Sequence, residues 1–275
     1  DYAESAQLFV QSSFGTAPDF SQSGANGPSI FPTTSFGMRL ATRPLARLYL
    51  QAAVLDGAAG DPKDPHGTQI IFGRDDGLLV TTEAAYLIGT DEEEYGRGIG
   101  RGYEIPYRGK ITVGGWFYTE KFDAIRTIAD QGKTYKRRGN HGVYGLAEYT
   151  VWNEPEHQDQ ALTFFVRIGF ADSAVSQISL YTGGGAVYTG LLPGRDEDEV
   201  GFGIAAAHNG RRFKQAQRRL GSPVENSEIA FELTYRAQLT PWLALQPILA
   251  YVVNPGTDPH LHDAVVFGMR FEMAL

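Results

Sequence analysis

Charged and polar side chains recur at every second position along several segments of this sequence. Arg108 and Lys110 are spaced in this way, as are Arg270 and Glu272. Residues two apart in an extended strand point to the same face, so these segments carry a polar face opposite an apolar one. The residues of the polar faces are Arg39, Arg47, Gln51, Glu83, Arg108, Lys110, Glu148, Arg167, Glu228, Glu232, Arg236, Arg270 and Glu272. If the polar faces surround water, these are the candidate pore-lining and substrate-binding residues.

Both signs of charge occur among these candidates, which favours a particular kind of solute. A lumen of one sign would favour small ions, whereas mixed charges with Gln, Thr and Tyr offer donors and acceptors to a neutral polyhydroxyl solute. Aromatic residues fall on the same faces and could stack on the apolar side of a sugar ring. They are Trp116, Tyr118, Tyr144 and Trp152. The polar faces therefore favour contact with carbohydrate.

Other patterns that could carry chemistry are weak. The absence of Cys excludes disulfides, thiol catalysis and thiolate metal sites. His260 and His262 share a face, but no third metal ligand accompanies them. Asp61 and Asp64 could ligate calcium through oxygen, or simply form turns. The glycine series at 96–102 precedes a strand and not a helix, so it does not predict a phosphate-binding loop. We expect a protein that is not an enzyme and that has no cofactor, with calcium at Asp61 and Asp64 as the alternative.

Composition limits the class of protein further. The chain has 275 residues, and we expect a single all-β domain over residues 1–275. The net charge of -8 argues against nucleic-acid binding, because no basic excess is present to neutralise phosphates. No run of about twenty apolar residues predicts a transmembrane helix. The first residues lack the features of a signal peptide, which we expect to have been removed or to lie outside this sequence.

Predicted strands would position the polar faces. From 228 to 238 the odd positions are mostly apolar and the even ones mostly polar or small, and residues from 264 onwards alternate in the same way. About twelve strands are predicted, at residues 6–14, 35–42, 47–55, 78–88, 107–119, 142–152, 161–171, 177–188, 199–208, 228–238, 243–253 and 264–275.

The connections between these strands alternate in length. Counted from the first, the odd connections are mostly long and the even ones short, with exceptions at 89–106 and 172–176. This alternation is typical of a transmembrane, antiparallel, up-and-down β-barrel with long external loops and short periplasmic turns. Strands of about nine to eleven residues also match the length needed to cross a bilayer at a tilt. The alternative is a soluble sandwich, whose strand breaks are more evenly spaced.

Short motifs occur in order from one end of the chain to the other. They are SFGTAPDFS at 13–21, GPSIFP at 27–32, LQAAV at 50–54, DG at 56–57, GGW at 114–116, GLLPGRD at 190–196, LTY at 233–235, LQP at 245–247, NPG at 254–256 and DAVV at 263–266. Together they resemble the motifs of the carbohydrate-selective porins of the OprB type.

This resemblance implies a sixteen-stranded outer-membrane barrel for the diffusion of sugars, made with a signal peptide. Because the sequence predicts about twelve strands, it also implies that about four N-terminal strands of such a barrel lie outside this sequence. Part of the charged constriction of the family would belong to that portion. Family members usually end on an aromatic residue, whereas this chain ends on Leu275.

Basic residues cluster in two connections that the alternation places on the external side. One cluster comprises Lys133, Lys136, Arg137 and Arg138, and the other comprises Arg211, Arg212, Lys214, Arg218 and Arg219. Such clusters could contact lipopolysaccharide phosphates, fold inward as a constriction, or remain solvated. Expected partners are carbohydrate solutes, outer-membrane lipid and lipopolysaccharide, with a homo-oligomer or a periplasmic partner as further options and no nucleic acid.

The main hypothesis is a porin of the bacterial outer membrane for passive, carbohydrate-selective diffusion of monosaccharides and small oligosaccharides. An alternative is an outer-membrane barrel that docks a periplasmic enzyme or exports a polysaccharide. A third hypothesis is a soluble, sugar-binding sandwich. The sequence does not rank the sugars, because selectivity depends on the width of the lumen and the folding of loops.

Overall fold

The computed structural model describes residues 3–30, 33–60, 77–90, 107–128, 133–154 and 160–274. Asp61, Asp64 and the glycine series at 96–102 lie outside these residues. Within them, eleven strands form one antiparallel sheet in which each strand pairs with its neighbours in sequence. The strands are β1 (Gly37–Leu45), β2 (Leu48–Asp56), β3 (Leu78–Ile88), β4 (Gly109–Asp123), β5 (Lys136–Asn153), β6 (Ala161–Ala171), β7 (Ile178–Thr189), β8 (Glu199–Asn209), β9 (Ser227–Thr240), β10 (Leu243–Val253) and β11 (Ala264–Met273). The up-and-down order confirms the predicted fold class.

Short helical segments precede the sheet and occupy some connections. They are α1 (Ser12–Gly15), α2 (Pro18–Ser21), α3 (Arg211–Arg219) and 3-10 turns at Ser5–Leu8, Ile125–Ile128 and Pro255–Thr257. Among the described residues, no helix is both long enough and apolar enough to cross a membrane.

The prediction of a first strand at 6–14 is wrong, which reduces the described strands to eleven. These residues form a 3-10 turn and the start of α1. The next helix, α2, begins at Pro18, whose fixed φ suits a helix start and whose missing N–H leaves no donor unpaired there. Residues 3–30, termed the inner segment, lie against one face of the sheet, where Phe9 and Phe14 are buried. The alternating apolar residues at 6–14 therefore pack against strands and do not pair with one.

Side chains alternate between two faces along the strands, as predicted. In β4, Thr112, Trp116 and Tyr118 are buried, whereas the intervening Val113 and Phe117 are exposed. Residues that pair directly across antiparallel strands share a face, so the register carries this alternation across the sheet. In the last strand, the apolar Phe267 is 80% exposed. The sheet has an apolar outer face and a polar inner face.

Glycines in β8 allow the inner segment to approach the sheet closely. The rings of Phe9 and Phe14 have centroids 4.6 Å apart and lie next to Gly201 and Gly203. A Cβ atom at Gly203 would lie 2.7 Å from the ring of Phe14, which would push the ring away. Glycine at this position therefore permits the packing.

A register shift in β5 places Trp152 on the outer face, although the sequence predicts that it faces inward. The pairing of β5 with β6 shifts between Thr150 and Trp152, after which Trp152 lies opposite Leu162. Leu162 shares a face with the exposed Phe164, so the irregularity turns Trp152 outward. Its ring centroid there lies 5.9 Å from that of Tyr188. The expectation that Trp152 faces inward is corrected.

Alternate connections lie at the same end of an up-and-down sheet. One end carries the two-residue turns 46–47 and 241–242, whereas the opposite end, termed the loop end, carries the connections 172–177, 210–226 and 254–263. The turns are short where the sequence predicts short turns.

Candidate functional site

A hydrogen-bonded chain of side chains crosses the inner face from β1 to β5. Arg39 donates from Nε to Oε1 of Gln51 at 2.9 Å and from Nη2 to the hydroxyl of Tyr49 at 2.7 Å. Gln51 donates to Oε1 of Glu83 at 2.5 Å, and the hydroxyl of Tyr144 donates to Oε2 of Glu83 at 2.5 Å. The register explains this arrangement, because Gln51 lies directly opposite Glu83.

A cavity of about 210 Å³ adjoins this chain of hydrogen bonds. Its described lining residues are Phe20, Arg39, Gln51, Ala52, Ala53, Thr81, Thr82, Glu83, Gly115, Trp116 and Tyr144. The rings of Phe20 and Trp116 have centroids 5.6 Å apart. Nε1 of Trp116 is buried and has no hydrogen-bond partner among the described residues. The cavity thus combines charged and polar groups with aromatic faces, which is the chemistry that holds a polyhydroxylated ring.

A buried ion pair fixes the inner segment to β6. Nη1 of Arg167 donates to Oδ1 of Asp19 at 2.8 Å, and both side chains are almost fully buried. The guanidinium carbon of Arg167 also lies 5.0 Å from the ring centre of Tyr144 and 5.4 Å from that of Tyr181. Burial raises the pKa of Asp19 above its ordinary value, although the charge of Arg167 opposes this rise. Arg167, predicted to line a pore, therefore contacts a segment of its own chain.

Glu148 binds the beginning of the inner segment. The backbone N–H groups of Glu4 and Ser5 donate to its carboxylate at 3.2 and 2.7 Å, and the hydroxyl of Ser5 donates to it as well. The hydroxyl of Tyr107 donates to the same carboxylate at 2.8 Å. Burial of Tyr107, and then the charge of Glu148, raise the pKa of the phenol. Nζ of the buried Lys110 lies 5.4 Å from the centre of the Tyr107 ring.

Glu232 and Gln246 bind the middle of the inner segment. The backbone N–H groups of Val10 and Gln11 donate to the two carboxylate oxygens of Glu232 at 2.8 and 2.9 Å. Nε2 of Gln246 donates to the carbonyl of Leu8 at 2.6 Å. A short, irregular segment cannot pair these backbone groups internally, and a buried unpaired group is costly. The side chains of β9 and β10 supply the missing partners.

A third group of charges lies on the inner face of β8, β9 and β11. Nε of Arg236 donates to Oε2 of Glu272 at 2.9 Å, and Nη1 of Arg236 lies 3.8 Å from Oε2 of Glu199. Nη2 of Arg270 lies 2.7 Å from Oε1 of Glu272. These side chains are partly exposed and pair with one another, not with the inner segment. They remain partly accessible to solvent.

Not every predicted residue reaches the middle of the inner face. Glu228 lies near the loop end, where it accepts a hydrogen bond from the N–H of Gly256 at 2.5 Å. The exposed Arg47 lies in the turn between β1 and β2. Arg108 precedes β4, and its guanidinium carbon is 5.4 Å from the ring centre of the outward-facing Tyr149. The expected positions of Arg47 and Arg108 are corrected, because the predicted strands begin too early.

The sequence patterns do not predict the residues that the inner segment places against the inner face of the sheet. Asp19 and Phe20 belong to it, and Tyr181 contacts it by donating to the carbonyl of Ser13 at 2.8 Å. The motif at 13–21 was the available signal, since its proline favours the start of a helix.

An antiparallel, up-and-down sheet with an apolar outer face and a charged inner face is the architecture of outer-membrane β-barrel proteins. In such proteins the apolar face contacts lipid and the polar face contacts water. The model of one family, described as "Carbohydrate-selective porin, OprB family", matches residues 2–275. The chain belongs to this family, which consists of outer-membrane transport channels and not of enzymes. This result confirms the resemblance of the motifs.

Individual relatives agree with this assignment. The chain is 27% identical over 184 residues to Porin B of Pseudomonas aeruginosa, a match that covers 60% of this chain and 40% of that protein. The structure of Pseudomonas putida OprB at high pH is similar with a TM-score of 0.75 at 20% identity, covering 88% of this chain and 59% of that one. The low-pH structure gives a TM-score of 0.51 at 18% identity, covering 86% and 54%. The chain thus spans between 40% and 59% of the length of these relatives, and the structural likeness shows the fold.

Proposed function

We propose that this protein is a channel for the passive diffusion of monosaccharides and small oligosaccharides across the outer membrane. The observation that carries the proposal is the cavity beside Arg39, Glu83 and Trp116, where hydrogen-bonding side chains adjoin aromatic rings. Charges of both signs suit a neutral polyhydroxyl solute better than an ion. Membership of a carbohydrate-selective family supports the same substrate class.

Sugars would pass the cavity by exchanging hydrogen bonds with its side chains. A hydroxyl both donates and accepts, so it can replace Gln51 as a donor to Glu83 or as an acceptor from Arg39. Because each new bond replaces an existing one, the net gain is small. Weak binding lets the solute leave as readily as it enters. The rings of Phe20 and Trp116 would contact the apolar side of the sugar without fixing its orientation.

The inner segment would narrow the channel. Glu148, Arg167 and Glu232 fasten it to the inner face, so it occupies space that a solute would otherwise use. Phe20 of the same segment lines the cavity. The charged residues of the inner face therefore have two roles in this proposal, since some contact the solute and others position the segment that shapes its path.

Swelling of liposomes that contain the purified protein tests the proposal. Glucose is compared with an uncharged non-sugar of similar size, and we expect glucose to permeate faster. Equal rates for the two solutes would contradict carbohydrate selectivity.

Two neighbouring residues of β4 provide matched variants for this assay. Trp116 lies in the cavity and Phe117 lies on the outer face. An aromatic contact worth about 1 kcal/mol corresponds to about fivefold in binding, so Trp116→Leu should reduce the preference for glucose by about that factor. Phe117→Leu should leave the preference unchanged. An equal effect of both substitutions would remove the cavity from the sugar path.

A further inference from the structure

Connections at the loop end come together around the helix α3. The backbone N–H of Ile125, in the connection from β4 to β5, donates to the carbonyl of Ala174 at 2.8 Å. The N–H of Gly210, immediately before α3, donates to the carbonyl of Gln177 at 2.7 Å. Phe213 of α3 is buried in one apolar cluster with Ile125. The three connections therefore form one packed unit.

A cavity of about 370 Å³ lies within this unit. Its described lining residues are Ala124, Arg126, Lys136, Arg137, Ala174, Arg212, Gln215, Ala216 and Arg219. The last four are spaced so that they share one face of α3. The structure thus combines part of the two basic clusters that the sequence places in separate connections. Members of those clusters that do not line the cavity are Lys133, Arg138, Arg211, Lys214 and Arg218.

Carboxylates offset only part of the positive charge of this cavity. Nζ of Lys136 lies 2.9 Å from Oδ1 of Asp123, and Nη2 of Arg137 lies 3.2 Å from Oδ2 of Asp172. Neither aspartate is among the described lining residues. Two of the five cationic side chains that line the cavity are therefore already paired with carboxylates.

The remaining cations keep hydrogen-bond donors available. The guanidinium carbon of Arg126 lies 3.7 Å from the centre of the Tyr135 ring, and this stacking leaves the N–H edge free. Arg212 and Arg219 are exposed, and no carboxylate in the described ranges forms an ion pair with either. Three guanidinium groups thus converge on a space without a described anionic partner.

We propose that this cavity binds a phosphate group carried on a sugar. A phosphate ester is an anion with several acceptor oxygens, and guanidinium groups bind it through paired N–H donors. The volume falls in the range of pockets that enclose small ligands, about 300–1,000 Å³. The inference rests on the proposed function only for the orientation of the sheet in the membrane. In an outer-membrane channel the long loops are extracellular, so the loop end faces the outside of the cell. The ligand then comes from an outer-leaflet glycolipid or from a free phosphorylated sugar.

Binding to the purified protein in detergent tests this site with two probes. Glucose 6-phosphate is titrated by calorimetry, and diphosphorylated lipid A is compared with dephosphorylated lipid A in mixed micelles. We expect the protein to bind at least one phosphorylated probe and to prefer it over glucose or dephosphorylated lipid A. Binding of lipid A alone identifies the leaflet as the source, and binding of glucose 6-phosphate alone identifies the solute.

Three double variants of α3 separate a defined site from diffuse charge. Arg212→Gln with Arg219→Gln removes two lining guanidinium groups, and loss of such charge-assisted contacts should weaken phosphate binding by about tenfold or more. Arg211→Gln with Arg218→Gln removes the same charge at the same spacing outside the cavity and should change binding less than about twofold, by the same arithmetic. Arg212→Lys with Arg219→Lys keeps the charge but not the forked donors, so intermediate affinity is expected.

The outcomes decide between the site and its absence. Equal weakening in the two glutamine variants, or no preference for phosphorylated probes in the wild-type protein, overturns the proposal. Neutral-sugar swelling is measured on the same proteins. Phosphate binding without glucose selectivity would contradict the proposed sugar channel and support the phosphate site. Glucose selectivity without phosphate binding would support the channel and contradict the phosphate site.

Discussion

Glu83 and Glu232 occupy equivalent positions in two regions of the inner face but differ in what they bind. Both are buried, with 7% and 1% of their surface exposed, and each accepts hydrogen bonds from two described donors. The described donors to Glu83, Gln51 and Tyr144, are side chains of the sheet, and Glu83 lines the smaller cavity. The donors to Glu232 are backbone N–H groups of the inner segment. The period of a strand determines which face a residue occupies, but not whether a solute or another part of the chain covers it.

This difference determines which partners can be exchanged. Gln51 and Tyr144 can rotate away from Glu83 when a sugar hydroxyl approaches, because each is a single side chain. The backbone donors to Glu232 can leave only if the inner segment moves. We therefore expect substitutions near Glu83 to alter selectivity and substitutions near Glu232 or Arg167 to alter the width of the channel.

Arg167→Met should have the largest effect. It leaves Asp19 buried without its partner, and breaking a buried pair in this way costs about 3–5 kcal/mol. We expect the inner segment to leave the inner face, so that single-channel conductance rises and discrimination among sugars falls. The double variant with Asp19→Asn removes the buried charge and should restore much of the wild-type conductance. Wild-type conductance in Arg167→Met alone would contradict the role of the ion pair.

The same variant should respond to pH. Burial already raises the pKa of Asp19, and loss of the opposing charge of Arg167 should raise this pKa further. A raised pKa in the docked state means that docking is favoured below that pKa and lost as pH rises through it. The conductance of Arg167→Met should therefore approach the wild-type value on acidification. The double variant with Asp19→Asn should lack this response, and a response of equal size there would assign it to another group.

Glu232→Gln should have a smaller effect on the same segment. The amide has one acceptor oxygen for two backbone donors and lacks the charge, and hydrogen bonds to charged groups contribute about 1.5–3 kcal/mol. We expect brief openings of the channel to become about tenfold more frequent in single-channel records. Unchanged opening frequency would show that Glu232 does not hold the segment.

The sequence predicts the facing of the strands because side-chain alternation follows directly from backbone geometry. Glu232 and Arg236 alternate with Leu233 and Tyr235, and the structure places the two charged residues on one face. Strand ends are harder to predict, since the polar pattern continues through Arg47 and Arg108, whereas β2 begins at Leu48 and β4 at Gly109. Trp152 shows a second limit of sequence patterns. The register shift in β5 moves its side chain to the outer face, and no residue pattern in the sequence indicates that shift.

The inner segment was not predictable from local pattern. Residues 6–14 mix apolar and polar side chains as a strand would, and their partners lie far away in sequence. Glu148 is 143 residues from Ser5, and Glu232 is 222 residues from Val10. A carboxylate that binds backbone N–H groups looks the same in sequence as one that faces water. The sequence therefore predicts which residues lie on the polar face of the strands. Only the three-dimensional structure separates the residues that can face a solute from those that bind the inner segment.

Arg236→Glu tests a part of the inner face that the inner segment leaves accessible. The substitution replaces one of two arginines in a group that also contains Glu199 and Glu272, so local charge becomes negative. We expect the reversal potential under a salt gradient to shift toward cation selectivity, and the shift to shrink at high ionic strength because salt screens exposed charges. Arg218→Glu on α3 should cause a smaller shift. No shift in Arg236→Glu would remove this group from the ion path.

Glu83→Gln should have the smallest effect and is the direct counterpart of Glu232→Gln. The substitution keeps the shape of the side chain and one acceptor, so it alters exchangeable hydrogen bonds worth about 0.5–1.5 kcal/mol each. We expect glucose permeation to fall by about two- to tenfold relative to a size-matched non-sugar, with no change in the frequency of channel openings. If Glu83→Gln instead opened the channel as Glu232→Gln is expected to do, both carboxylates would hold the segment. The region around Glu83 would then not be separate from the region that positions the chain.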